Sequence, residues 1–156
     1  MPSPSALPGS RSDPVRDAAA ARYGQVRAAS RALAATLTPE DQCIQSMPEA
    51  SPTKWHLAHT SWFFEAVVLG PHSAGYGIFV PAVARLFNSY YESPGPRQPR
   101  PQPALLTRPT LDQVHAYRAH VDAAVRSFIR EADDAAWSAA APLVELGLQH
   151  EQQHQE

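Results

Sequence analysis

Two histidines near the end of the chain, His150 and His154, are four residues apart in a segment that favours a helix. At this spacing both imidazoles project from one helix face, about one turn apart, so that two ring nitrogens can reach a single metal ion. His56 and His59 repeat the arrangement at a spacing of three residues. Because the facing helices of a bundle pool ligands in this way, the two pairs indicate a metal site inside a helical bundle.

An ordinary structural role is the alternative for each of these residues. A single helical histidine is more often a surface or capping residue than a ligand, and this interpretation applies to His72, His115 and His120. For an isolated pair such as His150 and His154, the two interpretations have about equal weight. The neighbours favour a site, because the sequence Gln-His-Glu-Gln-Gln-His-Gln-Glu is too polar for the inner face of a bundle unless it lines one.

A second metal chemistry fits the same residues. His150-Glu151-Gln152-Gln153-His154 matches the H-E-x-x-H pattern of zinc proteases, in which the glutamate is the general base. Such enzymes need a third ligand, usually downstream, and a strand that binds the substrate. Only two residues follow His154, and no segment shows the alternation of a strand, so protease activity is the weaker alternative.

Helices must position these residues, and the sequence predicts four of them. The first begins with Asp13 as N-cap and Pro14 as first helical residue, and it extends to about Leu37. The second opens at Ser51-Pro52 and stops at Gly70-Pro71. The first helix has apolar residues at Val15, Ala19, Val26, Leu33 and Leu37, with Arg16, Arg27 and Arg31 mostly on the other side. The second should be buried around most of its circumference because it contains Trp55, Trp62, Phe63 and Phe64.

The second pair of helices follows a long connection. Thr110 and Gln113 fit a capping box at the start of the third helix, and the fourth is predicted from about Pro142 to the end, after a break at Asp133-Asp134. Residues 70–109 connect the pairs, and six prolines between Pro94 and Pro109 exclude a helix there. Residues 38–50 form a shorter connection with room for one helical turn. The predicted fold is all-α, a four-helix bundle with a long proline-rich crossover between helices two and three.

Length and composition bound the possible functions. The chain of 156 residues has room for one domain, with a Pro/Ser-rich segment over residues 1–13 predicted to be disordered and the bundle over residues 14–156. A net charge of −2 provides no field for binding nucleic acid or an anionic membrane. No apolar run approaches the ~18 residues of a membrane span. The N-terminus lacks the apolar core of a secretion signal, and one cysteine suits a reducing, cytoplasmic setting.

Four ordered motifs carry a family resemblance. The chain resembles the N-terminal DinB-like domain of the ergothioneine-biosynthesis sulfoxide synthases (the EgtB family), over roughly residues 14–156. The motifs are Ser51-Pro52-Thr53-Lys54-Trp55-His56-Leu57-Ala58-His59-Thr60, Leu86-Phe87-Asn88-Ser89-Tyr90-Tyr91, Leu105-Leu106-Thr107-Arg108-Pro109-Thr110 and Leu146-Gly147-Leu148-Gln149-His150-Glu151-Gln152-Gln153-His154-Gln155-Glu156.

The resemblance implies a four-helix bundle that binds non-haem Fe(2+) through three histidines, which by motif are His59, His150 and His154. His56 falls where relatives can carry another residue and is not assigned. These enzymes use O2 to couple the thiol of γ-glutamylcysteine or cysteine to the imidazole carbon of hercynine, the trimethylated betaine of histidine. The product is a sulfoxide. Three neutral imidazoles form a relative of the 2-His-1-carboxylate sites of other non-haem iron oxygenases.

Substrate contacts are implied in the same way. A glutamine at the position of Gln153 contacts the hercynine imidazole in the family, and arginines with the spacing of Arg97 and Arg100 lie near the carboxylates of the thiol substrate. The trimethylammonium group requires aromatic or carbonyl neighbours, which Phe87, Tyr90 and Tyr91 offer, although core packing is the more common role for each of them alone. Pro103-Ala104 replaces the Arg-Gly expected before Leu-Leu, which changes the local loop.

Family members also carry a second domain that resembles the sulfatase-modifying fold and supplies a catalytic tyrosine. The 156 residues do not include that domain, so the chain is expected to be a bundle truncated in its last helix, which needs the missing domain or a partner chain and is inactive alone. A last helix that ends just after His154 is expected to fray and to bind iron weakly. The alternative is a complete stand-alone DinB-like metal-binding protein or thiol-dependent S-transferase, and a purely structural bundle is the third possibility.

Overall fold

The computed structural model describes residues 13–79, 87 and 109–156, and over these residues the chain is entirely helical, without strands. The four main helices are α1 (Pro14–Ala34), α2 (Thr53–Phe63), α3 (Leu111–Glu131) and α4 (Asp134–Gln155). A single 3₁₀ turn, Asp41–Cys43, lies in the connection after α1, as expected. The all-α bundle is therefore confirmed. The N-terminal segment and the proline-rich crossover, with Arg97 and Arg100, lie outside the described residues.

Local capping signals fix the starts of α1 and α3. The Asp13 carboxylate accepts hydrogen bonds from the backbone N–H groups of Val15 and Arg16. At α3, Thr110 and Gln113 form both halves of the predicted capping box. Each cap satisfies helical N–H groups that would otherwise lack a partner, so the sequence placed these two starts correctly. The end of α1 was placed three residues too late, because the helix stops at Ala34 rather than Leu37.

The second helix does not stop where the sequence predicted. It begins at Thr53, with Pro52 rather than Ser51 at the cap, and after Phe63 it widens into a π-helical segment, Phe64–Leu69. A further turn, Gly70–His72, follows, so Gly70-Pro71 does not end the helix. Proline fits this turn because its fixed φ is helical and it stands at the beginning of the turn.

The predicted start of the last helix at about Pro142 is also wrong. α4 begins at Asp134, where the Asp133 side chain accepts from the backbone N–H of Ala136, and Pro142 lies inside the helix. An interior proline costs the helix a hydrogen bond. Here Ala140 and Val144, on either side of the proline, are buried in the main core, so tertiary packing holds the helix through it.

The core has a large apolar part and a smaller one beside the histidines. The large cluster contains Tyr23 and Val26 of α1, residues of the π segment, and apolar residues of α3 and α4. The smaller cluster comprises Ala34, Leu57, Ala58, Phe87 and Val114, with Trp55 and Trp62 packed against it. None of the described helices is long and apolar enough to cross a membrane.

The apolar face predicted for α1 is largely wrong. Val15, Leu33 and Leu37 are exposed, whereas Arg16 and Arg27 are buried. Val26 is the one residue of that set in the buried core, and Ala19 packs against it. The helix is rotated from the predicted orientation because its arginines find acceptors on α3 and α4, including Asp122 and Glu151.

Gly147 brings α4 close to the π segment. A Cβ atom at this position would lie 2.6 Å from Cε1 of Phe64 and 2.9 Å from Cε1 of Phe63. Only glycine therefore permits the observed approach of the two elements. Because Gly147 is one turn before His150, this contact sets the height at which the histidines of α4 face α2.

Candidate metal centre

Three histidines from two helices converge beside the smaller core cluster. His59 of α2 faces His150 and His154 of α4, and the three can each offer one ring nitrogen within 4.8 Å of the others. The Nε2 atom of His150 lies 3.2 Å from Nε2 of His59 and 3.1 Å from Nε2 of His154. The sequence had singled out this set of three residues, and the fold brings all of them together.

The spacing of the nitrogens fits one bound transition-metal ion. Two nitrogens that are each about 2.1 Å from an ion are about 3.0 Å apart at a right angle and about 3.4 Å apart at a tetrahedral angle. The distances of 3.2 and 3.1 Å around His150 fall between these values. Among the described residues, no carboxylate or thiol joins the cluster. The donor set is thus three imidazoles, which suits zinc, iron, nickel or copper better than magnesium or calcium.

His59 is held in the tautomer that a ligand needs. Its Nδ1 lies 2.6 Å from the backbone carbonyl oxygen of Phe87, and only a protonated Nδ1 can donate to that acceptor. The lone pair is therefore on Nε2, the nitrogen that faces His150. A backbone carbonyl of this kind is the usual partner of a metal-binding histidine. Phe87 itself is buried in the smaller core cluster, so its ring serves core packing rather than a substrate cage.

Aromatic rings enclose the histidines. Trp55 stacks on His59 with ring centres 4.4 Å apart, and Trp62 stacks at 5.6 Å with planes similarly close to parallel. Phe63 contacts His150, with ring centres 5.0 Å apart. These apolar walls keep water from part of the site and fix the His59 ring plane.

All three imidazoles are kept neutral. Burial lowers the pKa of His59 to about 4, with the neighbouring His150 and His56 acting in the same direction. Burial and the surrounding His150, His56 and His59 lower the pKa of His154 to about 3. The pKa of His150 is lowered as well, again through burial. Neutral rings at physiological pH are ready to bind a metal without first losing a proton.

A fourth histidine, His56, contacts the cluster through His154. Nδ1 of His56 lies 2.7 Å from Nδ1 of His154, on the side of the His154 ring opposite its Nε2 atom. The sequence had noted the spacing of His56 and His59 but had not assigned His56 to the site. The two residues are on the same helix, three positions apart, and they face different histidines of α4.

Glu151 points away from the centre, although it lies between the two ligands in sequence. Its carboxylate is 1% exposed and accepts hydrogen bonds from Arg27, Arg118 and Ser30. Burial opposes its ionisation, yet the two arginines lower its pKa below the ordinary value. A carboxylate held in this way cannot act as the general base of a zinc protease, and the H-E-x-x-H interpretation is wrong on geometric grounds.

Of the three predicted substrate-binding residues, only Gln153 lies within the described part of the chain. Gln153 lies on α4 between the two histidines and is exposed. Arg97 and Arg100, like Tyr90 and Tyr91, fall outside the described residues. One cleft of about 190 Å³ borders the histidines, between α1, the start of α2 and the end of α4. Its lining includes Leu33, Leu37, His56 and His154, so the cleft adjoins the side of the centre where His56 meets His154.

The end of α4 is anchored rather than frayed. The helix extends to Gln155, whose side-chain amide donates to the backbone oxygen of Val26 and the hydroxyl of Ser30. This contact joins the last turn to α1, immediately after His154. The fraying expected from the sequence is absent, and with it the stated reason for weak metal binding.

Three neutral imidazoles from two facing helices are a donor set that could hold a metal ion, and helical bundles build metal sites in this way. The family model of the DinB superfamily matches residues 22–156, and the chain belongs to that superfamily. No curated protein matches the chain. The match covers all three histidines and most of α1, so the family and the metal centre concern the same domain.

Sequence reasoning missed the residues that support the ligands. His56, Trp55 and Trp62 were visible as part of an aromatic, histidine-containing helix, and their period could have placed them around His59. The Phe87 carbonyl could not have been found, because a backbone acceptor leaves no signal in residue type. Arg27 and Arg118, which hold Glu151, were hidden by the rule that arginines lie on the surface.

Proposed function

We propose that this chain is the iron(II)-binding domain of a hercynine oxygenase, which couples hercynine to the thiol of γ-glutamylcysteine or cysteine with O2 and forms a sulfoxide in ergothioneine biosynthesis. The observation that carries the proposal is the all-imidazole centre formed by His59, His150 and His154. The four sequence motifs that resemble the sulfoxide synthases support it, because two of them contain these three residues.

The residues fit a six-coordinate metal with room for substrates. Three neutral imidazoles would leave an iron(II) ion with its full positive charge and open positions, the property needed to bind an anionic thiol substrate beside O2. The chain's own contribution is to hold Nε2 of His150 at 3.2 Å from Nε2 of His59 and 3.1 Å from Nε2 of His154. Trp55, Trp62 and Phe63 shield one side of the centre. Gln153, Arg97 and Arg100 are the proposed contacts to hercynine and to the carboxylates of the thiol.

The proposed partner is a domain of the sulfatase-modifying type, on the same chain beyond residue 156 or on a separate one. In this proposal it supplies the catalytic tyrosine, so the described bundle binds iron but does not form the sulfoxide alone. Neither nucleic acid nor a membrane is a proposed partner. Reading the coding sequence beyond residue 156, and its neighbours, tests for this domain directly.

The biochemical test has two stages. The chain is first titrated with Fe(II) without oxygen, and one iron per chain is expected because the three ligands are already assembled. Hercynine, γ-glutamylcysteine or cysteine, and O2 are then added, with and without a supplied domain of the sulfatase-modifying type. Sulfoxide formation is expected only when that domain is present, and mass spectrometry of the product distinguishes the two thiols.

The outcomes separate the competing functions. A stand-alone S-transferase of the DinB superfamily would transfer a thiol to an electrophilic acceptor without O2 and without a second domain. A structural bundle would bind no metal at all. Replacement of His59 by Ala distinguishes the last case from the others, because loss of metal with a retained helical spectrum indicates a site.

A further inference from the structure

His56 has a geometric relation to the metal centre that no ligand role explains. Its Nδ1 atom faces Nδ1 of His154 at 2.7 Å, whereas the Nε2 atom of His154 faces His150. One imidazole nitrogen of His154 is therefore turned to the centre and the other to His56. Two neutral imidazoles at this distance require one proton between the two Nδ1 atoms, because two lone pairs would repel each other.

The position of that proton decides whether His154 can bind a metal. If Nδ1 of His154 carries the proton, its Nε2 lone pair is free to act as a ligand. If Nδ1 of His56 carries it, a neutral His154 must be protonated at Nε2, and the nitrogen that faces His150 cannot coordinate. Nε2 of His154 is the nitrogen turned towards the centre, so ligation through it places the proton of a neutral ring on Nδ1. Nδ1 of His56 is then the acceptor that this proton faces.

We propose that His56 is a positioning residue that accepts the Nδ1 proton of His154 and thereby holds Nε2 of His154 as a metal ligand. This inference rests on the proposed metal centre and adds a supporting partner to it. The arrangement parallels the contact of His59 with the Phe87 carbonyl, where a main-chain acceptor performs the same task. His56 and His154 both line the cleft between α1, α2 and α4, so the two rings lie side by side at its wall.

The first test determines the tautomers without any metal. Long-range ¹H–¹⁵N NMR spectra of the chain, recorded at mildly alkaline pH so that the rings are neutral, show which nitrogen of each imidazole carries the proton. The signals are assigned by comparison with His56→Asn and His154→Ala. The expected result is a proton on Nδ1 of His154 and none on Nδ1 of His56. A proton on Nε2 of His154 would overturn the inference, whatever the metal affinity of the chain.

The second test uses Co(II) as a spectroscopic probe and compares variants. His56→Ala is expected to bind Co(II) about 10- to 100-fold more weakly than the parent, the usual cost of removing such a partner. His56→Asn keeps an acceptor close to the position of Nδ1 and is expected to recover most of the affinity. His115→Gln, an exposed histidine on α3, is the matched control and should bind as the parent does.

The outcomes distinguish this inference from the proposed function. A parent chain that binds no Co(II) contradicts the metal centre, while the tautomers still decide the role of His56. A parent that binds Co(II), with His56→Ala equally tight and spectrally unchanged, contradicts the positioning role alone. Thermal unfolding of the metal-free variants excludes a folding defect, and Asn recovering no more affinity than Ala would also count against the inference.

Discussion

Two polar clusters meet at the end of α4, and they differ in how their atoms are partnered. On one side, the carboxylate of Glu151 accepts from Arg27, Arg118 and Ser30, so that both of its oxygens are engaged. On the other side, His150 and His154 turn ring nitrogens towards His59 and towards each other. The first is a closed network of opposite charges. The second brings together groups of the same kind, three imidazoles with no carboxylate among them.

The difference separates a structural role from a binding role. In the first cluster the opposite charges pair with one another, and Nε of Arg118 is its one buried polar atom without a hydrogen-bond partner among the described residues. Three imidazoles forced together at short range lack a shared partner, and the buried Nδ1 of His150 has none within the described structure. A metal ion would satisfy the converging nitrogens. The two clusters are adjacent in sequence because a helix directs neighbouring residues to different sides.

The largest expected effect comes from opening the closed network. Glu151→Gln removes the charge that pairs with Arg27 and Arg118, both buried, and leaves two guanidinium groups without it. Breaking a buried ion pair from one side costs about 3–5 kcal/mol. Urea unfolding should therefore show a loss of that size in the free energy of unfolding.

Glu145→Gln is the matched control, since its half-exposed carboxylate pairs with Arg22 on the surface. An exposed pair is worth about 0–1 kcal/mol, so this variant should be close to the parent. Equal losses for the two variants would mean that the buried network does not stabilise the fold more than a surface pair does.

Acid should disturb the two clusters in different ranges of pH. In the metal-free chain the pKa of His59 is about 4 and that of His154 about 3, whereas unfolded histidine titrates near about 6.5. Between these values the unfolded state binds more protons, so stability falls as the pH is lowered from about 6.5. The pKa of Glu151 is lowered too, and its contribution is lost only below its unfolded value of about 4.3.

The measurement is the free energy of unfolding against pH for the parent and for His154→Ala. The variant should show a shallower decline from about pH 6.5 down to about pH 3, the range between the unfolded and folded pKa values of His154. Identical slopes in this range would show that His154 is not held neutral by the fold.

The third effect concerns the contact that sets the height of α4. Gly147→Ala places a methyl group against Phe63 and Phe64, and overpacking of this kind costs about 1–3 kcal/mol. The better helix propensity of alanine offsets about 1 kcal/mol of this loss in the free energy of unfolding. A net loss of stability is expected, together with weaker Co(II) binding, because His150 and His154 shift relative to His59.

Gly24→Ala provides the comparison, since its Cβ would meet only one arginine nitrogen, at 3.8 Å. Without a clash, the propensity gain should raise the free energy of unfolding by up to about 1 kcal/mol. A stabilising effect at both positions would contradict the close approach of α4 to the π segment.

How much the sequence could predict depends on where the deciding partner lies. The capping residues Asp13 and Thr110 contact N–H groups two or three positions away, so the starts of α1 and α3 follow from local sequence. The spacing of His150 and His154 is equally local. The prediction that His59 is the third ligand came from the family resemblance, because spacing within one helix does not identify a ligand on another.

The errors arose where distant contacts decide. The burial of Arg27 depends on Glu151, a residue 124 positions away, and nothing in the α1 pattern reveals it. Pro142 remains inside α4 because the flanking residues are buried in the core, which outweighs the local signal for a break. The π segment that follows Phe63 packs closely against Gly147 of α4, a contact that the local sequence of the second helix does not reveal.

The smallest effect on stability should accompany the largest effect on binding, and His154→Ala tests this. His154 is only half-buried, and its removal relieves the crowding of imidazole nitrogens, so the metal-free free energy of unfolding at neutral pH should change by about 0.5 kcal/mol or less. Co(II) and Fe(II) binding should be lost, because the variant keeps only two of the three nitrogen ligands. Gln149→Ala, exposed on the same helix, controls for the change in helix propensity. If His154→Ala unfolded as readily as Glu151→Gln, the histidine cluster would be part of the structural core, and the contrast between the two sides of α4 would no longer hold.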